Sequence, residues 1–196
     1  FEINHYGITT LGEFNEIKDA LGLQANPGRA FRLAGLVVEA QHRVTRTGRQ
    51  FGSFYIEDYT GKSEFVLWKD DYTRYAHYLE KGKNLFITGA FKQRYEKSEF
   101  EFKVDRIILL ESIKQSLTKQ LVLEIEAKDI KAEWIEFLKQ NVKTHPGKSQ
   151  LRLNLKDSRT NYRVTLYSSN EGFEMNDEMA AWLNNNADIE TQVLTI

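Results

Sequence analysis

Five segments between residues 31 and 111 are rich in apolar, β-branched and aromatic residues, and the second and third also alternate inward with outward positions. This pattern predicts β-strands over residues 31–40, 51–57, 63–68, 84–95 and 100–110. Between the third and fourth segments, apolar side chains recur every three or four residues. That spacing predicts a helix over residues 70–81, which ends at Gly82.

The order β-β-β-α-β-β is typical of a five-stranded OB-type Greek-key barrel, in which the helix closes one end. Gly35 and Gly89 lie inside the first and fourth predicted strands, where a closing barrel needs sharp coiling and close backbone approach. Side chains alternate between the two faces of a strand. Phe54 and Ile56 are therefore predicted to face the core, and Tyr55 to face outward.

The second half of the chain predicts a small β-α-β-β-α-β domain. A strand over 121–125 is followed by a helix that Asp129 could cap, a hairpin over 150–155 and 162–167, a helix capped by Asn176, and a strand over 189–196. The predicted organisation is a lead-in segment over 1–30, an OB domain over 31–111, a polar linker over 112–119 and a terminal domain over 120–196. The lead-in is expected either to cover the OB domain or to be the tail of a preceding domain, since the chain begins with Phe and not Met.

The composition of the chain argues against a disordered protein and against a metal or catalytic site. Hydrophobic residues make up 41% of the chain and charged residues 28%, as in ordinary globular proteins. There is no Cys, the four His share no ligand spacing, and no catalytic constellation or cofactor motif appears. Asp58 is interpreted as a turn residue, and Asp70 and Asp71 as the start of a helix, rather than as a metal site. No signal segment or membrane span is found, so a cytoplasmic location is expected.

The candidate ligand-binding residues of the barrel lie in two basic loops, one between the first and second predicted strands and one between the fourth and fifth. The net charge of −1 does not favour a polyanion partner, so an argument for nucleic-acid binding must rest on the local distribution of charge. Loops at these positions flank the ligand groove of OB barrels; cations neutralise phosphates there, and aromatic rings stack on bases. Solvated loop charges without a ligand are the alternative. The candidate binding residues are Arg43, Arg46, Arg49, Tyr55, Lys92, Arg94, Tyr95 and Lys97.

Several motifs resemble a known family. The segments 33–38 (LAGLVV), 45–48 (TRTG), 56–61 (IEDYTG) and 64–68 (EFVLW) are similar to the OB barrel of bacterial DNA polymerase III alpha subunits, with Trp68 where that family usually has Phe. The resemblance implies contact with single-stranded template DNA, docking of the terminal domain to the tau subunit of the clamp loader, other replisome partners, and catalytic carboxylates outside this chain. A tRNA anticodon-binding barrel of a class II aminoacyl-tRNA synthetase shares the barrel pattern. A protein-interaction module without nucleic-acid binding stays open as well.

The terminal domain is expected to dock a protein rather than DNA. Acidic residues precede its last helix and would repel phosphate while attracting a basic partner. Trp182 and Leu183 could add an apolar anchor, although a core position is the more ordinary role for them. The acidic residues are Glu171, Glu174, Asp177 and Glu178.

Overall fold

The computed structural model describes residues 1–20, 29–93, 100–168 and 172–196. It divides into two compact units, the OB unit (Gly7–Ser112) and the terminal unit (Phe1–Tyr6 with Ile113–Ile196). In chain order the elements are α1 (Glu2–His5), α2 (Leu11–Ala20), β1 (Ala30–Val44), β2 (Gln50–Glu57), β3 (Lys62–Trp68), α3 (Lys69–Tyr75), β4 (Asn84–Gln93), β5 (Phe100–Leu109), α4 (Ile113–Leu117), β6 (Thr118–Glu126), α5 (Ala132–Thr144), β7 (Pro146–Asp157), β8 (Tyr162–Tyr167), α6 (Asp177–Asn185) and β9 (Glu190–Thr195).

The OB unit is a five-stranded antiparallel sheet in the order β3-β2-β1-β4-β5. Strand β1 is long enough to pair with two neighbours along different parts of its length: residues 30–36 pair with β4, and residues 36–44 pair with β2. The register shifts between Val37 and Glu39, where the strand passes from one partner to the other. The sheet and the helix between β3 and β4 confirm the OB-type fold predicted from the element order.

The core of the OB unit lies on one face of this sheet. Phe54, Ile56, Phe65 and Leu67 are buried there, which confirms the predicted alternation of β2 and β3. Helix α2 contributes Phe14, whose ring centroid lies 5.0–5.8 Å from those of four other Phe residues, namely Phe31, Phe65, Phe91 and Phe102. Part of the predicted lead-in therefore completes the core.

The helix between β3 and β4 is shorter than its sequence pattern predicts. α3 ends at Tyr75, and a 3-10 turn over Ala76–Tyr78 follows. Tyr75 and Leu79 still reach the core. The helix does not continue to residue 81 because the chain turns back onto β1: the amide of Gly82 donates to the carbonyl of Val37 at 2.8 Å, with Gly82 at φ +94°.

Gly89 lies where β4 and β5 change register. A Cβ atom at this position would stand 2.3 Å from the carbonyl oxygen of Lys103, well inside van der Waals contact. The close backbone approach that the sequence predicts at Gly89 is therefore present, and a side chain there would separate the two strands.

The terminal unit is a four-stranded sheet in the order β8-β7-β6-β9. β6 and β7 are parallel and are connected through α5, while the other two pairs are antiparallel. This arrangement confirms the predicted β-α-β-β-α-β order. Asn176 caps α6 as predicted, since its side chain accepts from the amide of Met179 at 2.8 Å.

Two local predictions for this unit differ from the structure. Asp129 lies in a 3-10 turn, and α5 begins only at Ala132, after Lys131, so Asp129 does not cap the helix. Residues 112–119, predicted as a polar linker, instead form α4 and the beginning of β6. Ile113 and Leu117 are buried there, at the three-to-four-residue spacing of a helical face.

Candidate nucleic-acid interface

The loop between β1 and β2 is an ordered turn that presents arginines. The amide of Thr45 donates to the carbonyl of Arg49 at 2.8 Å, and the hydroxyl of Thr45 accepts from the amide of Arg49 at 3.0 Å. Gly48, at φ +79°, lets the chain reverse direction. Arg43, Arg46 and Arg49 are exposed, and none forms an ion pair with any described residue. Three positive charges without an ionic partner among the described residues therefore lie at one end of the sheet, where Arg43 also donates a hydrogen bond to the side chain of Gln41.

The register of β1, β2 and β3 places their outward side chains in cross-strand rows. Successive rows are two residues apart along each strand, about 6.5 Å. The row nearest the arginine loop is basic and aromatic, the middle row is uncharged, and the third row contains two acids. The rows are Arg43–Phe51–Trp68, Gln41–Ser53–Val66 and Glu39–Tyr55–Glu64.

Phe51 and Trp68 stack on each other in the first row. Their ring centroids are 4.4 Å apart and the rings are inclined by 13°. The Trp68 side chain is 42% exposed. Strand alternation places Trp68 on the outer face, because its neighbour Leu67 points into the core.

Tyr55 faces outward as predicted, but its surroundings are acidic. Its hydroxyl is hydrogen-bonded to Glu64, and this bond, with a smaller contribution from desolvation, raises the pKa of Tyr55. The ammonium group of Lys62 lies 4.3 Å from the ring centroid and is also paired with Glu39. One contact position over the Tyr55 ring is therefore already taken by a cation of the chain itself.

Of the four candidate residues around the turn between β4 and β5, only Lys92, near the end of β4, lies in the described part of the chain; Arg94, Tyr95 and Lys97 fall outside it. The Lys92 ammonium group pairs with Asp105 at 3.3 Å. It lines a shallow groove of about 740 Å³ that also includes Trp68 and carries equal numbers of basic and acidic side chains. The lining residues are Trp68, Lys69, Asp70, Asp71, Lys92, Gln93, Glu101 and Lys103.

Asp58 holds a turn together, as the sequence suggests. Its carboxylate accepts from the amides of Leu11, Thr60 and Gly61 at 2.7–2.9 Å and from the Thr60 hydroxyl at 2.6 Å. Partial burial alone would raise the pKa of Asp58, but these hydrogen bonds outweigh it and lower the pKa. Across the described ranges, no group of three His, Asp or Glu side chains is arranged to hold a metal ion.

The described acidic residues just before α6 and in its first turn are engaged within the terminal unit. Glu174 accepts from Gln115 at 2.7 Å, Asp177 pairs with Lys114 at 2.9 Å, and Glu178 accepts from Asn141 at 2.9 Å; Glu171 lies outside the described residues. Leu183 is buried, and the Trp182 ring stacks on Phe137 at 4.6 Å. Trp182 and Leu183 therefore have packing roles, so they do not form an exposed anchor.

The terminal unit has instead an apolar groove between α5 and the edge of its sheet. The groove has a volume of about 910 Å³ and is lined mainly by aliphatic side chains of α5, β7 and β8, with Lys139 and Lys143 also in its lining. Strand β8 is exposed along its whole length, and Val164 and Leu166 are 53% and 47% exposed. Sequence reasoning missed this surface, although the alternation of residues 162–167 in an edge strand could have indicated it. No helix in the described segments is long and apolar enough to cross a membrane.

Comparison with known proteins supports both halves of the fold. Residues 31–110 match a family model described as an OB-fold nucleic acid binding domain, and residues 121–194 match the DNA polymerase III alpha subunit, C-terminal domain. DNA polymerase III alpha subunits from Escherichia coli and Vibrio cholerae are each 24% identical, over 118 and 117 residues. Each match covers 60% of this chain, and the chain spans only 10% of either relative.

Among solved structures, the wild-type single-stranded DNA binding protein from Thermus aquaticus aligns over 88% of this chain and 92% of its own, at 16% identity. The TM-score is 0.30, at which the likeness carries no argument. The sequence matches place this chain as a distant homologue, over part of its length, of the C-terminal OB-fold and C-terminal domain of the DNA polymerase III alpha subunit.

Proposed function

We propose that this chain is the single-stranded-DNA-binding and clamp-loader-docking region of a bacterial DNA polymerase III alpha subunit and acts in DNA replication. Its OB domain (residues 31–111) binds the DNA, and the terminal domain (residues 120–196) docks the tau subunit. The polymerase chemistry belongs to other parts of the parent nucleotidyltransferase, so no polymerase activity is expected of this chain alone.

One observation carries the DNA-binding part of the proposal. The turn between β1 and β2 presents Arg43, Arg46 and Arg49 with no acidic partner among the described residues, at the edge of an OB sheet. Exposed guanidinium groups release counterions from phosphates when they bind them, and this release drives association. Single strands are favoured over duplex because the exposed rings beside this loop can stack only on unpaired bases.

Fluorescence anisotropy with labelled single strands, duplex DNA and tRNA at two salt concentrations tests this function. Single strands should bind more tightly than duplex, and binding should weaken with salt. Arg46→Ala combined with Arg49→Ala should lower the slope of log affinity against log salt by about 1.4, since each single-strand phosphate contact contributes about 0.7.

The matched control is Lys128→Ala with Arg159→Ala, which removes the same charge from exposed positions of the terminal unit. This control should leave affinity unchanged. Equal binding to duplex, or an unchanged salt slope in the double arginine variant, would argue against the site. Preferential binding of tRNA would favour an anticodon-binding barrel instead.

The tau-docking part rests on the sequence match of the terminal unit and on its apolar groove. Val164 and Leu166 are apolar, and both are about half exposed on the edge strand β8. An exposed apolar groove beside an unpaired strand edge suits a protein partner. Binding of the full chain to tau is measured by calorimetry. Leu166→Glu should abolish it, because a carboxylate in the groove loses its hydration.

Thr165→Glu adds the same charge on the other face of β8 and serves as the control. Because Thr165 faces away from the groove, binding should persist in this variant. Loss of tau binding in both variants, or in neither, would exclude the groove as the docking surface. No binding of tau by the unaltered chain would leave the DNA-binding part standing by itself.

A further inference from the structure

We infer that Phe51 and Trp68 form the platform on which a base of the bound single strand stacks, with Arg43 holding the adjoining phosphate, and that Tyr55 does not serve this role. This inference rests on the proposed DNA binding and assigns its base subsite. Stacking aromatic side chains beside a positive groove is how single strands are held without base preference.

The first step is the geometry of the pair. Phe51 and Trp68 are direct cross-strand neighbours whose rings lie 4.4 Å apart and nearly parallel, so Phe51 fixes the orientation of the indole. Trp68 keeps 42% of its surface exposed. A large aromatic ring that is held in place yet open to solvent loses little conformational entropy when a base stacks on it.

The second step is the charge along the outer face. In the row of the pair, Arg43 is the cross-strand neighbour of Phe51, and Arg46 and Arg49 follow in the adjoining turn. The groove on the other side of Trp68 is lined by three lysines and three acids, so it adds no net charge. Among the described residues, the positive potential therefore comes from the β1 side, and the phosphate of a stacked nucleotide belongs there.

The third step excludes Tyr55. Its cross-strand neighbours are Glu39 and Glu64, its hydroxyl is bonded to Glu64, and Lys62 lies over its ring. A base that stacks on Tyr55 would compete with Lys62 for one contact position over the ring. Its phosphate would then lie beside two carboxylates, whose like charge repels it. The row of Trp68 is therefore positively charged and the row of Tyr55 contains two acids. Of these two rows, only the row of Trp68 accepts a nucleotide.

The test uses the full chain and a labelled oligothymidine single strand in anisotropy titrations. Trp68→Ala should weaken binding by about 5- to 150-fold, the range that corresponds to about 1–3 kcal/mol for one stacked base at 1.4 kcal/mol per tenfold. Trp68→Phe should retain most of the affinity. Tyr55→Ala, the matched control on the same strand pair, should change affinity less than about twofold.

Tryptophan emission gives a second measurement on the unaltered protein. The other two tryptophans, Trp134 and Trp182, pack within the terminal unit. Oligothymidine should therefore quench emission in the unaltered chain, and Trp68→Phe should remove the quenching while binding persists. If the chain binds DNA but quenching is absent, or if Tyr55→Ala weakens binding more than Trp68→Ala, the platform assignment is overturned and the DNA-binding function stands. No binding by the unaltered chain would overturn both.

Discussion

Replacing Asp58 should loosen α2 from the OB unit. The amides of Leu11 and Gly12, which begin this helix, donate to Asp58 and to the hydroxyl of Thr60, both at 2.8 Å, so a turn 47 residues away caps the helix. Asp58→Ala removes an ionised acceptor from the Leu11 amide, next to a fully buried side chain. Losing a helix cap costs about 0.5–2 kcal/mol and losing a bond to a charged group about 1.5–3 kcal/mol, so we expect a loss of about 2–3 kcal/mol.

Amide hydrogen exchange at Leu11 and Gly12 is the appropriate assay, because the two compact units need not unfold together. Asp58→Ala should accelerate exchange at both amides, and Asp58→Asn, which keeps an acceptor oxygen, should do so less. Glu16→Ala, at an exposed position of the same helix, is the control and should change exchange free energies by less than about 0.5 kcal/mol. Equal effects of Asp58→Ala and Glu16→Ala would refute the capping role.

The same carboxylate predicts an acid-sensitive contribution to stability. The pKa of Asp58 is lowered in the folded protein, so its stabilisation is complete above the unfolded pKa, near the ordinary value of 3.8, and is lost as pH falls through the folded value. The difference in exchange free energy between the unaltered protein and Asp58→Asn should therefore shrink below about pH 4. A difference that is constant down to pH 2 would show that ionisation of Asp58 does not matter.

Two further predictions concern stability. Gly89→Ala should lower the free energy of unfolding of the OB unit by at least about 2 kcal/mol in a denaturant titration, because its Cβ would meet the Lys103 carbonyl. Gly61→Ala, whose Cβ would make only ordinary contacts at 3.6 Å, should be tolerated in the same titration. Asn176→Ala should lower the melting temperature of the terminal unit, with a loss of about 1–2 kcal/mol from the missing cap of α6, while the exposed Asn184→Ala should not.

Apolar and β-branched content was sufficient to predict the strands of the OB unit. Period-two alternation predicted the inward side chains of β2 and β3, because burial on one face of a sheet imposes that period directly. The contributions of distant segments could not be predicted in this way. Phe14 enters the core from a segment predicted as a lead-in, and the amide of Leu11 is capped by Asp58. Both contacts join parts of the chain more than 40 residues apart, and no local pattern encodes them.

At the candidate site, too, the local sequence pattern does not predict which side chains become cross-strand neighbours. Alternation correctly turns Tyr55 outward, but it says nothing of the side chains opposite, and these decide whether an exposed ring can receive a nucleotide. Glu39 lies beside Tyr55 on β1, and Arg43 lies beside Phe51. A register shifted by four residues along β1 would place Arg43 beside Tyr55 and away from Phe51, and this would favour Tyr55 instead. The pairing of β1 with β2, which only the folded sheet reveals, therefore determines which exposed ring stands beside an arginine, even though the arginine loop itself is evident in the sequence.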